Sequence, residues 1–196
     1  MSGPTQVSIL SNWYNSGWNK RRQINVSSSK ITANLTNFPI LIDIYDTALH
    51  NYSRADGYDI LFTSSDGKTK LNHEIEYFDK NYNSTHAHLV TWVKVNLSSV
   101  SNNVFYMYYN NSDSQNQQRP SGVWDSNYMM VQHLEETGTG LRFDSTSNGR
   151  NMTTAGYEGD EAITGKLDGA DNLDGSNDML NSTSNFMSSH ISNART

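Results

Sequence analysis

Residues 87–95 read AHLVTWVKV, a segment in which two kinds of position alternate. Every second residue from Leu89 to Val95 is apolar or β-branched, while the positions between, from His88 to Lys94, include the charged and the ring-bearing side chains. Successive side chains of a β-strand point to opposite faces of its sheet. The segment therefore predicts a strand with one face in an apolar core.

Similar segments recur at short intervals along the first half of the chain. Asp66-Gly67 lies between two of them and favours a hairpin, because this dipeptide readily adopts the positive φ angles of tight turns. The many Asn, Ser and Thr side chains compete with helical backbone hydrogen bonds, so helix should be a minor component. The pattern predicts an all-β fold, an antiparallel, jelly-roll-like β-sandwich. Its further strand segments are 38–46 (FPILIDIYD), 58–64, 71–78 and 104–109 (VFYMYY), and the side chains expected in the core are Trp92, Phe105, Met107 and Tyr109.

The polar segment 110–120 (NNSDSQNQQRP) interrupts this series and ends in a proline. Such a composition is typical of a linker. It predicts a first module over residues 1–112, a linker over 113–120 and a second, incomplete β-sandwich over 121–196. Too few strands follow Asp125 to bury their own apolar face. We therefore expect this part to dock onto the first module or to be completed by another chain.

Composition limits the classes of function. The net charge of −6 argues against nucleic acid as a partner, because DNA and RNA are bound through many Lys and Arg side chains. The sequence has no cysteine, which excludes disulfides, thiolate metal sites and cysteine nucleophiles. It also has no apolar segment long enough for a signal peptide or a membrane span.

Several short motifs of the first module, in this order, resemble those of domain of unknown function 2341. This family is a β-rich module of archaeal and bacterial surface proteins. The resemblance covers about residues 13–112 and implies a secreted or cell-surface location. Its motifs are 18–24 (WNKRRQI), 37–42 (NFPILI), 58–63 (YDILFT), 73–79 (HEIEYFD), 92–95 (WVKV) and 105–110 (FYMYYN). Glycosylation sequons agree with an extracellular surface; they begin at Asn25, Asn34, Asn51, Asn83, Asn96, Asn110, Asn151 and Asn181.

A second resemblance covers the remainder of the chain. The motifs 123–125 (VWD), 133–136 (HLEE), 144–149 (DSTSNG) and 165–170 (GKLDGA) are similar to the start of a concanavalin A-like, laminin G-like domain. That resemblance implies a partial jelly roll, lacking the later strands that would carry a lectin site.

Glu74, Glu76 and Asp79 are the sharpest catalytic candidates. On a strand, Glu74 and Glu76 point to the same face, and a bulge before Asp79 would bring the third carboxylate to that face. Retaining glycosidases need two such carboxyls about 5 Å apart. The spacing resembles the signature of laminarinase-type hydrolases, which implies Glu74 as nucleophile, Glu76 as supporting acid and Asp79 as acid/base. Here the types of the second and third acids are exchanged, and Asp79 is short for that geometry.

The structural alternative for these carboxylates is a solvated strand face. In that interpretation Glu74 and Glu76 are at least partly exposed, and one of them pairs with Lys94 or Lys70. Contact with a polar ligand is a third interpretation of the same residues.

Two other patterns suggest metal ligands. Asp168, Asp171, Asp174 and Asp178 lie in a Gly-spaced stretch of the kind that binds calcium, although the spacing fails the EF-hand pattern and turn chemistry explains the same residues. His86 and His88 alternate on one strand, but no third ligand is identifiable. Calcium is thus the one cofactor that the sequence suggests.

Aromatic side chains offer a ligand site instead of a catalytic one. Trp13, Trp18 and Tyr108 could form a platform for sugar rings, with burial in the core as the alternative. The leading hypothesis is therefore a noncatalytic extracellular module for adhesion, glycan binding or surface assembly. Its partners would be a polysaccharide or neighbouring surface-protein chains. The alternatives are a glycan-active hydrolase and a structural subunit of a surface filament or virion.

Overall fold

Seven strands of the first half form two antiparallel sheets in a computed structural model that describes residues 12–182. One sheet has the order β1-β7-β3-β4 and the other the order β2-β6-β5. The strands are β1 (Lys20–Val26), β2 (Leu35–Asp46), β3 (Leu61–Thr63), β4 (Lys70–Leu71), β5 (His73–Asp79), β6 (Ala87–Leu97) and β7 (Asn103–Tyr109).

The core lies between these two sheets. Leu89, Val93 and Val95 of β6 face Phe105 and Met107 of β7, and all five are at most 4% exposed. Apolar faces of two sheets that pack on each other define a β-sandwich. The predicted all-β sandwich is confirmed, as is the burial of Phe105, Met107 and Tyr109. The expectation that Trp92 belongs to this core is wrong, because it lies on the other face of β6, opposite Glu74, and is half-buried.

The helices are short. Within residues 12–182 they are a 3-10 turn (Ser28–Lys30), α1 (Thr47–Tyr52) and α2 (Pro120–Val123). α1 begins where β2 ends, because the carboxylate of Asp46 accepts the Leu49 N–H at 2.7 Å and caps the first turn. No helix in this part of the chain is long and apolar enough to cross a membrane.

The predicted strand 71–78 is divided in the structure. After the turn at Gly67, which has a φ of 71°, β4 pairs with β3 for two residues only. The chain then crosses at Asn72 to the opposite sheet, where β5 pairs with β6. The turn of the hairpin is thus as predicted. Its second strand is only the short β4, and most of the predicted segment 71–78 forms β5 in the other sheet.

The segment before α2 runs along the free edge of β5. The Arg119 N–H donates to the carbonyl of His73 at 2.9 Å, and the Ile75 N–H donates to the side-chain carbonyl of Gln118 at 2.6 Å. Unpaired strand edges are usually covered in this way. The boundaries predicted at residues 112 and 121 stay predictions, but the residues between them pack on the sandwich.

Beyond α2 the chain forms two small antiparallel sheets. One has the order β12-β9-β8 and the other is the hairpin β10-β11. The strands are β8 (Leu141–Arg142), β9 (Met152–Ala155), β10 (Ala162–Thr164), β11 (Gly169–Asp171) and β12 (Met179–Ser182). Arg142, which is 1% exposed, donates two hydrogen bonds to Asp171 at 2.8 and 2.9 Å, and Tyr157 donates a third at 3.1 Å. A buried ion pair thus lies at the centre of this part.

One buried titratable side chain makes the sandwich sensitive to acid. His73 is fully buried beside the ring of Phe62, with ring centroids 5.2 Å apart. Burial, assisted by the charge of Lys70, lowers the pKa of His73 to about 3. The ring is therefore neutral in the folded protein at pH values well above 3.

We expect His73→Leu to reduce the acid sensitivity of the free energy of unfolding. Because the folded pKa lies below the unfolded value, the contribution of His73 is complete above about pH 6.5 and decreases as the pH falls toward 3. Urea denaturation at pH 7 and pH 4.5 should show a loss that is smaller in the variant by about 2 kcal/mol. An equal loss in both proteins would show that His73 does not titrate as stated.

Candidate functional site

Glu74 and Glu76 lie on the outer face of the β2-β6-β5 sheet, at alternate positions of β5, and the strand has a bulge at the second of them. The register against β6 passes from Ile75 opposite Thr91 to Tyr77 opposite Val90, so Glu76 is the extra residue. A bulge re-aims one side chain without ending the strand. The predicted bulge therefore exists, but it lies at Glu76 itself and not between Glu76 and Asp79.

The expectation that both glutamates are partly exposed is wrong. Glu74 is 6% and Glu76 8% exposed, because the chain that follows α2 passes over this face. Trp124 donates its indole N–H to Oε2 of Glu74 at 2.7 Å, and Ser145 donates its hydroxyl to Oε1 at 2.5 Å. This part does dock onto the first module, as the shortage of strands beyond Asp125 predicts.

His133 lies between the two glutamates. Its Nδ1 is 3.0 Å from Oε2 of Glu76 and its Nε2 is 3.3 Å from Oε2 of Glu74. Burial alone would lower the pKa of His133, but the two carboxylates outweigh it and raise the pKa to about 10. The ring is therefore an imidazolium at neutral pH, and the group formed by Glu74, Glu76 and His133 is called the His133 clamp below.

Glu76 is held in its ionised form by the same contacts. Burial by itself would raise its pKa, but hydrogen bonds from His133 and from the indole N–H of Trp92 lower it below the ordinary value. The ring centroids of Trp92 and Trp124 lie 5.3 Å apart, and each indole N–H donates to one of the two glutamates. The clamp has two negative charges and one positive charge, each with hydrogen-bonding or ionic partners.

The backbone next to His133 is strained. Leu134 has a φ of 57°, in the left-handed region that L side chains other than Asn and Asp rarely adopt. Such a conformation costs about 1–2 kcal/mol. It turns the chain sharply, so that the ring of His133 points inward to Glu74 and Glu76 while Glu135 is exposed.

Two further carboxyls lie close to the clamp. Burial raises the pKa of Asp168, and the charge of Glu76 adds to that effect. Although Glu135 is exposed as a residue, partial loss of hydration at its carboxyl raises the pKa of Glu135, with a contribution from the charge of Asp168. Both acids are therefore more readily protonated than isolated carboxyls.

The third predicted catalytic acid is separate from the first two. Asp79 lies at the end of β5 opposite His88, and its carboxylate accepts the Asn81 N–H at 2.8 Å in the turn that follows. Glu74 and Glu76 instead face His133. Neither glutamate pairs with Lys70 or Lys94, because His133 supplies the positive charge.

The predicted aromatic platform is part of the core. Trp18 is 8% exposed, Tyr108 is fully buried, and Trp13 packs edge-on against Tyr108 with ring centroids 5.1 Å apart. The Trp18 indole N–H donates to the carbonyl of Asp59 at 2.7 Å. These rings therefore belong to the interior, which was the alternative interpretation.

The predicted calcium ligands do not converge. Asp171 is engaged by Arg142 and Tyr157, Asp168 lies near the clamp, and Asp174 accepts the Ser176 N–H at 2.7 Å in an exposed turn. Within residues 12–182 the side chains that come close enough to share an ion are Glu158, Asp160 and Glu161. Two backbone N–H groups already bind the carboxylate of Glu161, so turn formation accounts for it.

A different set of rings is exposed. Tyr45 is 53% and Tyr82 47% exposed, and their ring centroids are 5.1 Å apart. His88 stacks on Tyr45 at 4.2 Å, and its Nε2 lies 2.8 Å from the carboxylate of Asp43, which orients the ring. Tyr77 adds a fourth ring, 5.2 Å from His88.

Three of these rings, Tyr77, Tyr82 and His88, form one wall of a groove of about 340 Å³, and Tyr45 packs behind Tyr82 and His88. The opposite wall is the turn between β10 and β11, residues 164–168, including Lys166 and Asp168. We call this the tyrosine groove. The sequence analysis did not predict this groove, because the residues of its two walls are about eighty positions apart in the chain. The one available signal was the presence of Asp43 and Tyr45 at alternate positions of β2, on the same face of the strand.

The family comparison matches a model described as domain of unknown function (DUF2341) over residues 56–155. The chain belongs to this family. The matched region continues past the predicted linker to Ala155 and so includes Glu74, Trp124, His133 and Ser145. No curated protein and no solved structure matches the chain.

We expect the ring protons of His133 to titrate near pH 10 in NMR spectra, whereas an isolated histidine titrates near 6.5. Because the folded pKa is raised, the stabilisation by His133 is complete below about pH 6.5 and is lost as the pH rises toward 10. His133→Gln should lower the free energy of unfolding at pH 7 by about 3 kcal/mol, since it leaves two buried carboxylates without a counter-charge.

The control for this prediction is His50→Gln, because the ring of His50 bonds to a backbone carbonyl, that of Lys80 at 2.9 Å, and not to a carboxylate. A His133 midpoint near 6.5, or equal stability of the two variants, would contradict the clamp.

Proposed function

We propose that this protein is a noncatalytic extracellular module that binds polysaccharide in the tyrosine groove. The observation that carries the proposal is the pair of exposed rings, Tyr45 and Tyr82, beside a groove with polar side chains on its far wall. Pyranose rings pack their apolar faces on aromatic side chains, while polar groups at the rim fix their hydroxyls. Location at the cell surface and glycan partners are parts of the same proposal.

The groove supplies both kinds of contact. Tyr82 lies in the turn between β5 and β6, so its ring is accessible from the groove, and its contact with Tyr45 limits its rotation. A hydrogen bond with Tyr82 raises the pKa of Tyr45, so the Tyr45 hydroxyl stays neutral at physiological pH. Lys166 and Asp168 offer a donor and an acceptor on the opposite wall.

The hydrolase alternative is weaker on geometric grounds. A retaining glycosidase needs one carboxylate free to attack and one free to protonate the leaving group. Both oxygens of Glu74 accept hydrogen bonds from protein donors, and Oε2 of Glu76 contacts Trp92 and His133. The tyrosine groove is lined by neither glutamate.

We expect Tyr82→Ala to weaken binding to a polysaccharide by about fivefold or more, because stacking on one aromatic ring contributes about 1 kcal/mol or more. Tyr82→Phe should retain binding. The measurement is depletion of the protein from solution by a panel of insoluble neutral polysaccharides, followed by calorimetry with soluble oligosaccharides of any that bind.

Tyr52→Ala is the matched control, because Tyr52 is also 47% exposed but contacts Lys20 outside the groove. Unchanged affinity of Tyr82→Ala, or equal losses in Tyr82→Ala and Tyr52→Ala, would refute the groove as the site. Release of reducing sugar by the wild type that Glu74→Gln abolishes would select the hydrolase instead.

A further inference from the structure

Lys70 and Lys94 line a second groove, beside Leu71 of β4 and Val95 of β6. Two adjoining cavities of about 430 and 190 Å³ share Leu71, Val95 and Asn96 along their walls. We call the joined space the lysine groove. Neither lysine belongs to the clamp or the tyrosine groove.

The walls of the lysine groove carry three kinds of side chain: apolar, amide and positively charged. Leu71, Val95 and Phe105 supply an apolar floor continuous with the core. Side-chain amides, which both donate and accept hydrogen bonds, lie around this floor; they belong to Asn37, Asn72, Asn96, Asn102 and Asn103. Lys70 and Lys94 supply two positive charges.

The charge of this groove is opposite to that of the whole protein. The chain has a net charge of −6, yet no Asp or Glu lines either cavity. Within residues 12–182 neither lysine forms an ion pair. Lys70 donates one hydrogen bond, to the side-chain carbonyl of Gln117 at 2.7 Å, which leaves two of its three N–H groups for a ligand.

Lys70 is exposed at the rim of the groove. Neighbouring atoms remove part of the hydration of its ammonium group and lower its pKa below the ordinary value. The cation is therefore accessible to a ligand on one side and in contact with the wall of the groove on the other.

We propose that the lysine groove binds an acidic oligosaccharide, with its carboxylates at Lys70 and Lys94 and its hydroxyls on the asparagine amides. Leu71, the half-buried side chain of the apolar floor, receives the C–H face of a pyranose ring. The amides of Asn37, Asn96 and Asn102 pair with its hydroxyl groups, whereas Asn103 already bonds to Ser98 through both its oxygen and its nitrogen. The two ammonium groups require a negative charge on the same ligand. Nucleic acid would need a far more extensive basic surface than two lysines.

The test uses the whole chain, ¹⁵N-labelled, titrated with an oligogalacturonate and with its methyl ester, which has the same hydroxyls and no charge. We expect the uronate to shift the backbone signals of residues 94–96 and 102–105, and the ester to bind at least tenfold more weakly. Lys70→Gln and Lys94→Gln should each weaken the uronate about tenfold, the usual loss for a charge-assisted hydrogen bond.

Two variants serve as controls. Lys68→Gln removes an exposed charge from the neighbouring β3–β4 turn, outside the groove, and should leave the affinity unchanged. Tyr82→Ala should also leave the affinity for the uronate unchanged. The proposals for the two grooves can therefore be refuted independently of each other. Thermal denaturation of each variant establishes that it is folded.

Absence of uronate binding, equal affinity for the ester, or equal losses on Lys68→Gln and Lys70→Gln would each overturn the proposal. A sulfated oligosaccharide that binds tightly while the uronate does not would also overturn it, because it would assign the lysines to sulfate.

Discussion

The imidazolium of His133 between Glu74 and Glu76 is the interaction on which the rest of the structure depends. Removing three charged groups from water is costly, and the cost is offset only when each group has a counter-charge and hydrogen bonds. Here the donors are Trp92, Trp124 and Ser145. Two of these donors and His133 itself come from beyond the predicted linker, so the clamp joins the two halves of the chain through β5.

This arrangement accounts for both the strain at Leu134 and the position of the tyrosine groove. The left-handed turn at Leu134 directs His133 inward, and the clamp offsets its conformational cost. The same docking brings the β10–β11 turn opposite Tyr77 and Tyr82. The proposed ligand site is therefore a product of the contact between the halves, whereas the lysine groove is formed by the sandwich strands and the loops that join them.

Strand alternation was sufficient to predict the sandwich and its core, because the burial of Leu89, Val93 and Phe105 depends on period-two patterning alone. It could not predict whether the outer face of the β2-β6-β5 sheet is exposed or covered. Glu74 and Glu76 have the pattern of a solvated face, and their burial depends on residues fifty and more positions later. Single-sequence patterns are silent on contacts at that separation, so His133 was apparent only as part of a motif in the second resemblance.

Hydrogen exchange of the backbone amides tests the clamp most directly. Ser145 donates its N–H to the carbonyl of Val131 at 2.9 Å, within the segment that covers the glutamates. If the clamp makes this segment integral with the sandwich, the Ser145 amide should open together with the amides of β6, with the same free energy and the same dependence on urea. Exchange of the Ser145 amide through a separate opening of much lower free energy, while β6 stays protected, would show that the second half is only loosely attached and would contradict the account.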